Sequence, residues 1–563
     1  MRQLRAIDLY CGIGGWSLGL ELSGVRVVEG IDISPTAVET YAKNLGDSVR
    51  ECDLRSLDLA SLPSDVDVVV GSPPCTQFSY SNKGGSGDLV DGMVDLRAFL
   101  AVVAHVQPRF WIMENVPRVA KIIEAEMSNG GELVEFAHLV DSIRVVDLSE
   151  FGLPQRRKRC IVGRFPEELL LSYRSRTPSL TLRDVIGSFR TECYEDMMYG
   201  TRIPLESLSD HIVENPLTDE EVRLNVEAKT HHPVYNRMRF PDDSDRPSRT
   251  LTATCTKVSR ESIVIEDNRA TGDFRRLTIR ERASLQGFPG AFGFFAPSYT
   301  AKIQLIGNAL PPLFSYYIGC ALRGVSAGRL RHPWERKQVP LARERPPETL
   351  PRTVKHRFPD RRRFRAAIPG LRFKSGMRFQ MSNSFDSGTP KWGVDFRYGT
   401  PRDVRVTGLE SATLSLLADD WAVAEEFSTL DVSGASLSGA LAGGDPHWSL
   451  QQVWLHRMSG IGPFEVLDEL GRLAGEVGQR IGELDSAVVW ERVRHVLTAS
   501  LSGNESLIGE AKLSERRSLI YAGMIVGCWF NNVFMPGCAS ELNGAGGSLE
   551  EQAVGSESLS VVA

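Results

Sequence analysis

The feature that most constrains this chain is its opening segment, LRAIDLYCGIGGWSLGLELSGVRVVEGID, residues 4–32. An apolar strand runs into a glycine-rich turn, an amphipathic helix follows, and a second strand ends on Asp32. That succession is half of a doubly wound α/β sheet, because a strand that leaves through a helix packs back on its own sheet as a parallel neighbour. Gly12, Gly14 and Gly15 allow a sharp turn and a close approach of backbone to ligand, and an acid closing the second strand accepts hydrogen bonds from ribose hydroxyls. Ser17 stands where a dinucleotide fingerprint has its third glycine. The segment therefore fits a methyl-donor enzyme as well as a dinucleotide enzyme. Tyr10, just before the turn, is placed either to stack on a nucleoside base or to end the strand as a core aromatic.

Two later strands end on reactive groups. VDVVV (66–70) leads into GSPPCTQFS (71–79), where Pro73 and Pro74 fix φ and remove two donors, so the chain leaves the sheet as a rigid extended turn presenting Cys75. RFWIMENVPR (109–118) repeats the pattern and brings Glu114 and Asn115 to the same edge, the one at which open α/β sheets bind ligands. A carboxylate beside a thiol opposes the thiolate. The pairing serves chemistry when Glu114 meets a substrate ring nitrogen in its protonated form. The plainer alternatives are a packed, inert cysteine and a helix-capping acid.

Composition narrows the class. The chain has 563 residues, 42% hydrophobic and 24% charged, enough for several domains with cores of their own. Nine scattered cysteines without a CxxC pair argue against a disulfide framework and a zinc ribbon and favour a reducing cytosol; no metal ligand is expected in the site. No signal peptide is expected, and the late apolar run Leu519–Phe530 is too short to span a bilayer. The net charge of −6 is uneven: residues 329–374 hold 15 Lys/Arg against 4 Asp/Glu, whereas 375–563 hold 13 against 24. The basic block is proline-rich and reads as a linker or arm whose cations would neutralise phosphates.

Taken in order, IDLYCGIGGWSLGLE, GSPPCTQFS, DLRAFLAVVAHVQPRFWIMENVPR, FGLPQRRKRCIVG, RPSRTLTAT, RRLTIRERASLQGFP and QLIGNALPP resemble the motif series of the DNA (cytosine-5)-methyltransferase family, over about residues 4–322. The resemblance implies S-adenosylmethionine as methyl donor, carbon 5 of a flipped cytosine as acceptor, and double-stranded DNA as partner, in a cytoplasmic, nucleoid-associated enzyme of bacterial or phage restriction-modification type with no membrane partner. It carries Cys75 over as the nucleophile, Glu114 as the group on ring nitrogen 3, and Arg157 and Arg159 as the pair holding the cytosine carbonyl and adjacent phosphate. Tyr10, Gly12, Gly14, Asp32 and Asp53 would line the cofactor pocket, with Asn308 closing it from the carboxyl side. An RNA cytosine or amino-methyltransferase, and a catalytically silent DNA-binding regulator, remain as alternatives. Thr76 and Gln77 depart from the family's usual residues after the cysteine, and the glycine-rich stretch beyond Ser79 suits a loop closing over DNA.

The expected architecture is an α/β, Rossmann-like sheet with a smaller target-recognition domain and an additional α+β carboxyl-terminal module. The catalytic domain is assigned to 1–164 plus 290–325, target recognition to 165–289, the basic linker to 326–374, the module to 375–540 and a flexible tail to 541–563. Thr278 and Glu281 form a capping-box pattern opening a helix that ends near Gly287. In the module, MRFQMSNSF, WGVDFRYGT and DVRVTGLE read as strands, and 449–457 and 463–500 as helices. Glu510 and Lys512, with Asp485 upstream, match the acid–acid–lysine set of metal-dependent nucleases, but also read as surface charges on a helix capped by Asn504.

Overall fold

The computed structural model describes residues 2–75, 78, 88–128, 130–230, 238–267, 269–336, 339, 342–351, 360–373, 377–400, 403–409, 413, 428–431, 445–456, 460–483, 486–501 and 516–535. Thr76, Gln77, most of the glycine-rich loop, the candidate nuclease residues Asp485, Glu510 and Lys512, and the tail lie outside the described residues. The chain divides into two compact units, one holding residues 1–226 and 238–353, the other 227–237 and 354–563.

The first unit is built on a seven-stranded sheet. Its strands are β1 (Arg5–Leu9), β2 (Arg26–Asp32), β3 (Val49–Glu51), β4 (Val68–Gly71), β5 (Phe110–Asn115), β6 (Ser142–Asp147) and β7 (Lys158–Arg164), in the order β3-β2-β1-β4-β5-β7-β6. β1 to β5 pair in parallel, while β7 runs antiparallel to both β5 and β6. Helices α1 (Gly15–Ser23), α2 (Pro35–Leu45), α3 (Leu89–Val106) and α4 (Arg118–Glu126) make the connections.

Alternation along the strands explains the two cores. Ala6, Val68, Val70 and Ile112 point to one face, where they meet Trp16 and Leu20 of α1 and Leu313–Leu322 of the returning chain. Ile7, Leu9, Val69, Trp111 and Met113 point to the other and meet Leu96, Phe99, Val119 and Ile123 of α3 and α4. Successive strand residues face opposite sides, so a sheet clothed on both faces reads as nearly continuous apolar runs. The stretch Tyr299–Leu322 is apolar enough to span a membrane by length and composition, yet 83% of that window is buried in this core.

Thr278 and Glu281 do form a capping box on the helix Ile279–Leu285. That helix places the return to the catalytic core earlier than residue 290, because Ile279, Ala283 and Phe288 share a cluster with Ile13, Leu18 and Ala37. The segment assigned to recognition is not a compact unit of its own: all of it except 227–237 falls within the first unit. It does gather a small cluster, including Leu182, Val185, Leu251, Ile263 and Leu277.

The expectation of an unpacked basic linker is corrected at both ends. Lys302 is fully buried and donates to Asp210 at 2.5 Å and to the Pro347 carbonyl at 2.6 Å, so residues near 347 are drawn in as ligands of an ammonium group that has no water. Arg343 N donates to the Lys43 carbonyl at 3.0 Å. In the second unit Arg365–Arg372 is a strand with buried Ala366, Ile368 and Leu371, paired in a four-stranded antiparallel sheet with Arg378–Asp386, Thr389–Thr400 and Asp403–Gly408. The helical stretch expected over 463–500 is two helices, Pro463–Gly482 and Ser486–Leu501.

Candidate active site

Because β1, β2, β4 and β5 are parallel, their carboxyl ends share one edge. There the Tyr10–Gly14 turn leaves β1, Asp32 ends β2, Ser72–Cys75 leave β4, and Glu114 and Asn115 close β5. β7 runs the other way, so its beginning meets β5's end, with Asn115 opposite Cys160 and Glu114 opposite Ile161. Arg159 is thereby delivered to Glu114, donating from Nε to Oε1 at 2.7 Å with both side chains almost shut off from solvent.

The thiol turn is tied down on each side. Asn115 Nδ2 donates to the Pro73 carbonyl at 3.1 Å, and its Oδ1 accepts from Val116 N at 2.8 Å. Trp16 Nε1 donates to Ser72 Oγ at 3.0 Å. Phe78, fully buried, donates its N–H to the Cys75 carbonyl at 3.0 Å. Two prolines plus these four bonds hold the sulfur with little conformational freedom left to lose on meeting a substrate.

Burial, then the charge of Glu114, pushes the Cys75 thiol up from its ordinary range, and Arg159 and Arg157 oppose the shift. The resting group is therefore a thiol at neutral pH. Glu114→Gln removes a negative neighbour and leaves the Arg159 cation uncompensated, so the pH profile for alkylation of Cys75 by iodoacetamide is expected to move to lower pH. Peptide mass spectrometry across pH 6–10 checks this, and an unmoved profile would show that Glu114 does not act on the sulfur.

The structure divides the arginine pair. Arg157, only 2% exposed, donates to the carbonyls of Leu251 at 3.2 Å, Gly307 at 3.1 Å and Ala309 at 3.2 Å. Burial, then repulsion from Arg159, brings its pKa down to about 9, so it remains a cation at neutral pH. Its two terminal nitrogens are given to main chain, where the expectation had them on the cytosine or its phosphate. Of the pair it is Arg159 that makes the ion pair with Glu114.

What Arg157 grips is the Asn308 segment. Asn308 is the exposed last residue of the helix Tyr299–Asn308, between two carbonyls that Arg157 holds. A Cβ on Gly15 would lie 2.1 Å from the Leu310 carbonyl oxygen, so the glycine turn and this segment are in direct contact. Gln286 Nε2 donates to the Ala309 carbonyl at 2.6 Å, and Gln155 Nε2 donates to Gln286 Oε1 at 2.7 Å while its Oε1 accepts from Leu251 N at 2.9 Å. Gln155 and Gln286 were missed in the sequence. The available signal was an amide flanked by motif residues, in PQRRKR and SLQGFP.

At the end of β2, Asp32 is half-buried and accepts from Gly12 N and Ser34 N, each at 2.8 Å. Burial raises its pKa, and those N–H groups lower it. Gly12 (φ +52) and Gly14 (φ +87) adopt left-handed backbone. A Cβ on Gly14 would strike Leu45 at 2.5 Å, whereas one on Gly12 meets nothing within 4 Å. Gly14 thus serves packing, and Gly12 opens a cradle. Tyr10, also left-handed at φ +53, donates its hydroxyl to Asp95 Oδ1 at 3.1 Å. Asp53 caps the short turn Leu54–Ser56, accepting from Arg55 N at 2.9 Å, and Arg55 binds Asp95 at 2.9 and 2.8 Å. Asp53 is therefore brought to Tyr10 through Arg55, and its charge acts on the phenol.

Beneath the turn, Asp8 is wholly buried, accepts from Ser17 N at 3.2 Å and Ser17 Oγ at 2.7 Å, and is pushed up to about 8, chiefly by burial. A lone acid in the strand RAIDL was the signal for it.

The family model described as C-5 cytosine-specific DNA methylase matches residues 4–323, a span that holds every residue placed above. Curated relatives include the Type II methyltransferase M1.HphI of Haemophilus parahaemolyticus, 31% identical over 340 residues, covering 57% of this chain and 86% of the relative. Another is the Type II methyltransferase M.HindV of Haemophilus influenzae, 27% identical over 333 residues, covering 57% and 96%. Among solved structures, the S. pombe Dnmt2 methyltransferase aligns at 19% identity and a TM-score of 0.42, covering 57% of this chain and 99% of that one. With the match spanning more than half of the chain, and with thiol, glutamate and arginine brought to one sheet edge, this chain belongs to the C-5 cytosine-specific DNA methylase family.

Proposed function

We propose that the chain methylates carbon 5 of a cytosine flipped out of duplex DNA, using S-adenosylmethionine and a transient covalent bond from Cys75 to carbon 6. The observation that carries this reading is the meeting of Cys75, Glu114 and Arg159 at one end of the sheet, with the thiol turn tied to the glutamate's own strand through Asn115 and Pro73. Carbon 5 of an aromatic cytosine is a poor nucleophile. Attack of the Cys75 sulfur on carbon 6, with Glu114 hydrogen-bonded to or protonating ring nitrogen 3, turns the ring into an enamine with electron density on carbon 5. Arg159 holds the Glu114 carboxyl through Nε and the Lys158 carbonyl through Nη1, which leaves Nη2 for the ring carbonyl. After methylation, loss of the carbon-5 proton and expulsion of the thiolate restore the aromatic base. Flipping costs a few kcal/mol, which contacts to the extruded base must offset.

The residues present fit the cofactor: Gly12 leaves open space beside its backbone, and Asp32 is fixed by two N–H groups next to it. Tyr10, Gly12, Asp32, Asp53 and Asn308 would hold S-adenosylmethionine, which supplies an electrophilic methyl group on a sulfonium centre. Residues 165–276 supply target recognition in this reading. Two measurements test it. Bisulfite sequencing of DNA from cells expressing the chain is expected to show methylated cytosines in one recurring sequence; unmethylated DNA alongside methylated RNA would overturn the DNA assignment. Asp32→Ala is expected to weaken S-adenosylmethionine binding by about 1–3 kcal/mol in calorimetry, since both ribose contacts and the anchor of Gly12 are lost; unchanged affinity removes Asp32 from the pocket.

A further inference from the structure

A second sulfur sits in a setting unlike that of Cys75. Cys255, partly exposed, lies in the loop after RPSRTLTAT, and Arg282 Nη2 points at its Sγ from 2.6 Å. Arg276 Nη1 is 4.0 Å away, and Ser262 Oγ is 3.4 Å away. Both arginines are more than nine-tenths buried, and each has a buried Nε without a partner. Around them the described acid is Glu214, which takes Arg276 and also accepts the Tyr299 hydroxyl at 2.7 Å. Arg282 is left with the sulfur as its acceptor.

Two buried guanidinium groups facing one carboxylate leave a positive charge that a thiolate neutralises. Burial raises the Cys255 thiol, but Arg282 and then Arg276, helped by Ser262 and opposed by Glu214, bring it below its ordinary value. An electropositive, partly exposed pocket is the environment that makes a cysteine reactive.

We propose that Cys255 is a cysteine activated by its two guanidinium neighbours, a modification site for hydroperoxide oxidants and soft alkylating agents. With hydrogen peroxide the sulfur lone pair attacks one oxygen, the O–O bond breaks as the S–O bond forms, sulfur is oxidised by two electrons to sulfenic acid, and the departing hydroxide takes a proton to become water. With iodoacetamide an S–C bond forms and iodide leaves with the C–I pair. Cys255 packs on the cluster that holds Ile13, between Gly12 and Gly14. On the proposed function, a group added to this sulfur displaces the cofactor turn and raises KM for S-adenosylmethionine.

The test uses the full chain and iodoacetamide, with each cysteine-containing peptide quantified by mass spectrometry between pH 6 and 9. Cys255 is expected to be labelled at least about tenfold faster than Cys75 at pH 7, the ratio that one pKa unit of separation gives. Its rate should level off at a lower pH than that of an ordinary thiol, and brief peroxide followed by dimedone should tag it. Arg282→Met should slow labelling at pH 7 by about tenfold and restore an ordinary thiol profile, while Arg282→Lys keeps most of the rate. Should Arg282→Met fail to fold, the wild-type profile decides by itself: a Cys255 rate that climbs with pH like an ordinary thiol overturns the proposal, as does a folded Arg282→Met chain with unchanged labelling. Peroxide should raise KM for S-adenosylmethionine in the wild type and not in Cys255→Ser. Equal KM changes in both would overturn the link to the cofactor turn, while the labelling result stands whatever reaction the chain performs.

Discussion

Cys75→Ala is expected to lose methyl transfer by at least about 10⁴-fold while still binding its DNA, because in the proposed mechanism the sulfur forms the bond that makes carbon 5 nucleophilic. The turn carrying it is held by its prolines and by Asn115, Trp16 and Phe78, none of which is altered, so the variant should fold as the wild type does. Duplex DNA with 5-fluorocytosine at the target should trap the wild type as a denaturation-resistant adduct, since fluorine cannot leave as a proton does. The same DNA should release the alanine variant. Residual turnover in Cys75→Ala within a hundredfold of wild type, or absence of an adduct, would sink the covalent mechanism.

The second large effect separates two arginines that look equivalent in QRRKR. Arg157→Leu is expected to destabilise the fold by about 3 kcal/mol or more, since it strips a buried donor from the carbonyls of Leu251, Gly307 and Ala309, of which only Ala309 keeps another side-chain donor, Gln286. The melting temperature should fall by roughly 5–10 °C. Arg159→Leu should also cost some stability, since it strands the buried Glu114 carboxylate, but its main effect should be on kcat, lowered by about 10²–10³-fold, the usual loss when one charged donor at a reacting centre is removed. Scanning calorimetry and single-turnover methylation of both variants decide it. If Arg157→Leu melts like the wild type and loses only kcat, its guanidinium contacts substrate after all.

This division marks where sequence reading stops. QRRKR announces a basic cluster, but which guanidinium meets Glu114 and which meets main chain depends on β7 entering the sheet antiparallel beside β5, a pairing of segments far apart along the chain. The buried amides Gln155 and Gln286 were hidden for the same reason. Each is polar and unremarkable locally, and becomes structural only when a loop, a helix end and a strand start converge. The basic stretch looked unpacked because proline and charge are surface features on average. Lys302 overrides that average by drawing the Pro347 carbonyl into a dry site.

What the sequence determined by itself was whatever rests on local chemistry. Strand, glycine turn and helix follow from periodicity and from backbone that only glycine adopts freely. Parallel strands must end at one edge, so the sequence alone places Cys75, Glu114 and Asp32 at a common sheet edge. The capping box at Thr278 needed only residues within one turn. Tertiary structure decided the rest: the partner of each buried charge, the cradle at Gly12, and the two guanidinium groups around Cys255, which come from Arg276 and Arg282. A buried ion in a dry interior must find its counter-charge wherever the fold brings one, and spacing along a chain does not record which distant segment that will be.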